Sequence, residues 1–183
     1  LNNDGYDDLV YDYLFGAFGS CLNDGTGHFP VCDHRDSTDE LHILAIEDIN
    51  GDTYKEVLFG TVLALKFWPN NGDGTMAEEL DGLINNVNQL PWSPFSAGLI
   101  ADLDGDGDQD VAYQMGLVAS PLEVSTGWLA NEGNGFFTDM GVIADTIGQC
   151  SQFEAIDVDA DGDLDISLVD AHSLIASVIP NAG

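Results

Sequence analysis

Apolar residues along this chain come in short runs, each bounded by an acidic or glycine-rich turn. Residues 9–18 (LVYDYLFGAF) mix aromatic and β-branched types and predict a strand. Residues 20–22 lead into a glycine turn, 28–32 return from it, and the polar run 33–40 reads as a connection. After a short apolar run at 42–46 and an acidic segment, residues 57–65 (VLFGTVLAL) are apolar on both faces, as expected of a strand buried between neighbouring sheets. Further strands are expected at 97–101, 111–118, 127–130, 136–143, 153–156 and 166–169, with 173–179 approaching a last turn. Residues 78–89 (EELDGLINNVNQ) leave room for a helical turn. Their scattered Asn and Gly disfavour a long helix, and with Pro91 and Pro94 following, the stretch reads as a loop.

The acidic segments between these runs share one register. Residues 102–111 read DLDGDGDQDV, with Asp102, Asp104, Asp106, Asp108 and Asp110 at odd positions and Gly107 at the sixth. Oxygen ligands at alternate positions converge only if the backbone curls tightly, and glycine permits that curl. So many carboxylates repel unless a cation sits among them, and Ca²⁺ is the hard cation that accepts many oxygens in flexible geometry. An EF-hand opens in the same way but needs a Glu at position twelve and flanking helices. Position twelve here is Tyr113, and the residues after Asp110 look like a strand.

The pattern repeats. Residues 157–166 (DVDADGDLDI) place Asp157, Asp159, Asp161, Asp163 and Asp165 in the same register, with Gly162 sixth. Residues 48–57 (DINGDTYKEV) offer Asp48, Asn50, Asp52 and Glu56, with Thr53 in the glycine place. At the start of the sequence, Asn2, Asp4, Gly5 and Asp8 fall on the third, fifth, sixth and ninth places, without a first ligand. The first positions Asp48, Asp102 and Asp157 are 54 and 55 residues apart. Between the acidic loops recurs Asn-x-Gly-x-Gly-x-Φ: NDGTGHF from Asn23, NNGDGTM from Asn70 and NEGNGFF from Asn131, with Asn181 opening what looks like a fourth copy. Asn and Gly supply left-handed backbone for a tight β-turn.

Two motifs in fixed alternation over essentially the whole chain resemble the FG-GAP/VCBS repeats, which build calcium-binding β-propellers. The Phe-Gly element of the name is present only as Phe15-Gly16 and Phe59-Gly60, closer to the bacterial VCBS style than to the integrin style. The resemblance implies an all-β fold of four-stranded antiparallel propeller blades, with an acidic loop joining the first two strands of each. It divides the chain into a partial blade at 1–36 lacking its first strand, blades at 37–92 and 93–146, and a partial blade at 147–183 lacking its last. That is about 3.5 blades of one propeller, the rest coming from a longer chain or another chain. It also implies Ca²⁺ bound by the first, third, fifth and ninth side chains and the seventh carbonyl. The carbonyls would be those of Tyr6, Tyr54, Asp108 and Asp163. All ligands being local, the ion is expected to be structural.

Composition sets limits on partners. The chain of 183 residues has 33 acids against 3 Lys+Arg, a formal net charge of −30, with 44% hydrophobic residues. This argues against nucleic acid, whose binding needs basic groups, and against anionic membrane surfaces. The acidic surplus reads either as the solvated surface of a secreted protein in a salty setting or as a surface tuned for a cationic partner. No apolar stretch reaches about 18 residues, the length of a spanning helix. The chain lacks an initial Met and opens inside a loop motif, so it is read as an internal piece of a longer protein. Cys21 and Cys32 flank the first glycine turn and could close a small loop if their Cα atoms come within reach, while Cys150 has no local partner.

No catalytic pattern stands out. His28, His34, His42 and His172 are scattered, and none belongs to a His-Glu-x-x-His or Gly-x-Ser-x-Gly motif. Trp68, Trp92 and Trp128 are candidates either for blade packing or for a sugar-stacking platform. The expectation is a non-catalytic extracellular or cell-surface scaffold that binds or adheres to a protein or glycan. The alternative is the propeller portion of a secreted enzyme acting on polysaccharide.

Overall fold

The computed structural model describes residues 1–13, 17–36, 41–61, 65–77, 95–117, 120–133, 136–147, 150–170 and 176–181. The loop expected at 78–89 lies outside them. The described residues are all-β, without helix, and form four small antiparallel sheets in chain order. Sheet one holds β1 (Leu9–Tyr13), β2 (Ala17–Leu22) and β3 (Val31–Asp36). Sheet two holds β4 (His42–Glu47), β5 (Glu56–Gly60) and β6 (Leu65–Trp68). Sheet three holds β7 (Phe95–Ala101), β8 (Asp110–Leu117), β9 (Ser120–Asn131) and β10 (Phe137–Ile147). Sheet four holds β11 (Cys150–Ile156), β12 (Asp165–Asp170) and β13 (Ala176–Ile179). Each is a simple meander in which sequential strands pair. The described residues form no closed barrel or propeller.

Three expectations need correction. Residues 9–18 are not one strand but β1 and the start of β2, paired with Leu9 opposite Cys21 and Tyr13 opposite Ala17. Likewise, 57–65 divides between β5 and β6. Each run carries one polar side chain, Asp12 or Thr61, too little to announce two strands. Residues 33–36, read as a connection, belong to β3, an edge strand that is largely exposed and so carries polar side chains. Only sheet three shows four described strands. In sheet two, an isolated antiparallel bridge pairs Asn70 with Met76.

The sheets stack in chain order, and the alternation of side chains along each strand explains how. In β5 every residue is buried. Val57 and Phe59 pack with Phe18 of sheet one, Trp68 and Met76, whereas Leu58, between them, faces Val111, Tyr113 and Leu129 of sheet three. In β8, Val111 and Tyr113 face sheet two and Ala112 faces Ile166 of sheet four. The core is therefore three apolar layers, one between each pair of successive sheets. Along one side of the stack, β4 lies against β7 and β7 against β11. Gly98 of β7 permits this approach, because a Cβ there would sit 3.2 Å from the Leu44 side chain.

The first layer is aromatic. Phe18 meets Phe59 edge-on at 4.8 Å and lies 4.6 Å from the Trp68 ring. Cys21 and Cys32, opposite each other on β2 and β3, form a disulfide across the first glycine turn. The side chain of Cys150 lies outside those described. Because Phe18 is the anchor that sheet one inserts into sheet two, Phe18→Ala is expected to cost about 3–5 kcal/mol. Urea unfolding would show this as a lowered midpoint with an unchanged slope.

Candidate metal-binding loops

The four acidic loops fold alike. Their fourth and sixth positions both take left-handed backbone: Asn3 and Gly5, Gly51 and Thr53, Gly105 and Gly107, Ala160 and Gly162. The two bends turn alternate side chains inward onto the loop's own amides. In the three loops that have a first-position Asp, its two oxygens accept from the fourth and sixth N–H groups. Asp102 accepts from Gly105 at 2.8 Å and Gly107 at 3.1 Å, Asp157 from Ala160 and Gly162, and Asp48 from Gly51 and Thr53. Third-position residues Asn2, Asn50, Asp104 and Asp159 accept from the fifth N–H. Fifth-position Asp4, Asp52, Asp106 and Asp161 accept from the seventh, the amides of Tyr6, Tyr54, Asp108 and Asp163.

The ninth-position acid ties the loop to the glycine turn of the same sheet. One oxygen of Asp110 accepts from Leu103 N at 2.7 Å, and the other accepts from Asn131 N at 2.8 Å. Asp165 repeats this with Val158 and Asn181, and Glu56 with Ile49 and Asn70; Asp8 accepts from Asn23 N and, in its own loop, from the Leu1 amino group and Asn2 N. Glu56 and Asp110 are fully buried and Asp165 nearly so. Burial pushes the Glu56 and Asp110 carboxyls above their ordinary range, against the pull of these amide hydrogen bonds.

The turn asparagine then reaches further. The Asn131 amide nitrogen donates to Gln109 O in its own loop at 3.0 Å and to Ile49 O of the preceding loop at 2.7 Å. Asn70 donates to Lys55 O and Leu1 O, and Asn181 to Leu164 O and Leu103 O. Each of the first three acidic loops thus hands its second-position carbonyl to the next sheet's asparagine. The asparagine's own oxygen accepts from the amide of Gly72 or Gly133 two residues on. That glycine is favoured on two counts. It is left-handed, and the seventh-position side chain of the loop lies against it, so a Cβ at Gly72 would meet Tyr54 at 2.8 Å and one at Gly133 would meet Asp108 at 2.5 Å. The bridging role of these asparagines was missed in the sequence. Its signal was the invariable Asn at the head of each turn motif, which glycine alone does not explain.

Two loops bring three carboxylates to one point. Oxygens of Asp102, Asp104 and Asp106, and of Asp157, Asp159 and Asp165, lie within 4.8 Å of one another. Two ligands of one Ca²⁺, each about 2.3–2.6 Å from the ion, can be at most about 5 Å apart. These groups can hold a metal ion. The donors are all hard oxygens, which fit Ca²⁺ or Mg²⁺ better than a transition metal. The remaining predicted ligands, Asp108, Asp110, Asp161 and Asp163, belong to the same two loops but not to these convergent groups. Asp48, Asp52 and Glu56 do not form such a group among the described residues, and loop one contributes Asn2 with Asp4 and Asp8.

Other candidates fall away from the loops. Trp68 is buried in the first layer and is not available to stack on a sugar. Trp128 lines a cleft between sheets three and four, and Trp92 lies outside the described residues. His28 is exposed beside Asp24, and His34 beside Asp36. No family model matches the chain, and no curated protein matches it.

Two expected outcomes follow from this geometry. Asn131→Ala leaves buried backbone groups of two sheets unpaired and should cost about 3 kcal/mol in chemical denaturation. Thr53 is a β-branched residue at φ +79 in a place where the other loops carry glycine. Thr53→Gly should therefore raise stability by about 1 kcal/mol, read as a higher melting temperature.

Proposed function

We propose that the chain is a non-catalytic, extracellular repeat scaffold of the FG-GAP/VCBS type, its sheets acting as successive blades of a β-propeller stabilised by structural Ca²⁺. The observation that carries this reading is the recurrence of one loop backbone four times, with alternate oxygens turned inward and two carboxylate clusters of ion size. The chain's own residues preorganise these sites. Backbone amides fix each carboxylate before any ion arrives, so binding need not order the loop. A bound cation would supply the countercharge for a loop that holds up to five carboxylates. Asp102, Asp104, Asp106 and Asp110, and Asp157, Asp159, Asp161 and Asp165, would hold the two strongest ions, with the Asp108 and Asp163 carbonyls completing them. Asp48, Asn50, Asp52, Glu56 and the Tyr54 carbonyl make a weaker set, as do Asn2, Asp4, Asp8 and the Tyr6 carbonyl. Affinity of about 10⁻⁴–10⁻³ M suits an extracellular module. The surface would then serve as a platform for a protein or glycan ligand.

Thermal melting with Ca²⁺ and with chelator tests this. An ion that binds only the folded state stabilises it by about 2.7 kcal/mol at a free concentration one hundred times its dissociation constant. A large upward shift with Ca²⁺ is expected, reduced by Asp104→Asn and by Asp159→Asn. Equal melting in both conditions would remove the structural-calcium reading. Acidity supplies a second arm. Raised carboxyls such as Glu56 and Asp110 favour the folded state when protonated, and their contribution is lost as pH rises through the folded-state pKa. As pH falls from neutral towards the carboxylate range, the chelated protein should therefore lose less stability than the Ca²⁺-bound protein, whose Ca²⁺-dependent gain shrinks. A glycan array showing binding without turnover would favour the scaffold over a polysaccharide-active enzyme.

A further inference from the structure

The second residue of each of the first three acidic loops is bonded in two directions. Leu103 donates its N–H to Asp110 Oδ2 at 2.7 Å, and its carbonyl accepts from Asn181 Nδ2 at 2.5 Å. Ile49 does the same between Glu56 and Asn131, and Leu1, through its amino group, between Asp8 and Asn70. The other oxygen of each ninth-position acid accepts from the backbone N–H of its own sheet's asparagine. Joined end to end, these bonds form an unbroken line from Asp165 through Asn181, Leu103, Asp110 and Asn131, continuing in the same way to Asp8 of loop one. Loops three and four, where carboxylates converge, are neighbours on this line. Asn181 stands between them. Its N–H holds Asp165, a member of the loop-four group, at 2.8 Å. Its side chain holds Leu103, which lies in sequence between Asp102 and Asp104 of the loop-three group.

We propose that the ion sites of loops three and four are coupled through Asn181, so that filling one tightens the other. The inference rests on the reading of these two loops as Ca²⁺ sites. In the folded loops the carboxylates are already placed, so the coupling acts on local opening. Opening of the junction at Asn181 releases Leu103, whose two neighbours in sequence are ion-facing acids. Loop four can take an ion only with its sheet closed. Once occupied, it holds that junction shut and raises the fraction of loop three that is ready to bind. The bonds of a connected line also polarise one another, which favours the fully closed state. Repulsion between two bound cations works against this, but it is screened over a Debye length of about 10 Å at 0.1 M salt, whereas partly buried bonds are screened much less.

The test is a Ca²⁺ titration of the full chain in about 0.5 M NaCl, which screens charge effects between the loops. Hydrogen exchange is read separately in the peptides that carry loop three and loop four. Asp104→Asn with Asp106→Asn removes two of the three convergent carboxylates of loop three. The Ca²⁺ concentration that protects loop four should then rise about fivefold or more, the lower end of typical coupling between sites. Asp157→Asn with Asp159→Asn should shift loop three by the same factor, because such coupling is reciprocal. Asn181→Ala keeps the backbone N–H that holds Asp165 and removes the side-chain bonds to Leu103 and Leu164. In that background loop four should still gain protection with Ca²⁺, but the loop-three changes should no longer move its midpoint. An unchanged loop-four midpoint when loop three is disabled would overturn the proposal. So would a shift that survives Asn181→Ala, which is the mark of lost charge alone. If neither loop of the unaltered chain gains protection with Ca²⁺, the calcium reading itself fails and the coupling with it. The loop variants decide the question even where Asn181→Ala does not fold.

Discussion

A buried carboxylate sharing its two oxygens between two distant amides is the interaction on which the rest of this structure depends. The ninth-position acid of each loop accepts one amide from its own loop and one from an asparagine 14 to 21 residues later. An ionised carboxylate is costly to bury unless it is hydrogen-bonded, and bonds to a charged acceptor are among the strong ones. Here they offset that cost only in part, since the Glu56 and Asp110 carboxyls remain raised. The unspent lone pairs face a loop full of other acids in a chain of net charge −30. A cation bound in the loop removes both penalties at once.

From that tie the architecture propagates along one dimension. The acid locks loop to turn within a sheet, and the asparagine amide then reaches back to the previous loop's second carbonyl. Apolar packing follows the same order, because each middle sheet is apolar on both faces and is covered only when a sheet lies on each side. The ends of the stack show the consequence. Leu9 of sheet one, equivalent to the buried Val57 and Val111, is half exposed. At the other end, the third layer keeps a cavity where the earlier layers have Phe137 or Met76.

How much of this was legible depends on the range of the interaction. The loops were readable because every contact within them is local: alternate acids, a sixth-position glycine and a strand directly after. Even Thr53, which breaks the glycine rule, takes the left-handed backbone its position demands. The runs 9–18 and 57–65 read as continuous, because one polar side chain in each, Asp12 or Thr61, is too little to announce two strands. β3 was hidden for the opposite reason, as an exposed edge strand resembles a polar connection. The asparagines were read as turn formers, which they are. Their bonds to Leu1, Ile49 and Leu103 span 69 to 82 residues, and no local pattern encodes them.

Loop two separates the two duties that the other loops combine. Its Glu56 is fully buried and reaches the amides of Ile49 and Asn70, so the tie between loop and turn is intact. Its other residues differ from those of loops three and four: Asn50 is neutral, Thr53 takes left-handed backbone at φ +79, and Lys55 brings a positive charge that pairs with Glu47 at 3.0 Å. The tie needs only an acceptor of the right reach at position nine, whereas an ion site needs several acids to converge. Loop two therefore keeps its tie to the turn whatever its grip on an ion. Loops three and four, whose carboxylates do converge, carry the charge that a divalent ion would answer.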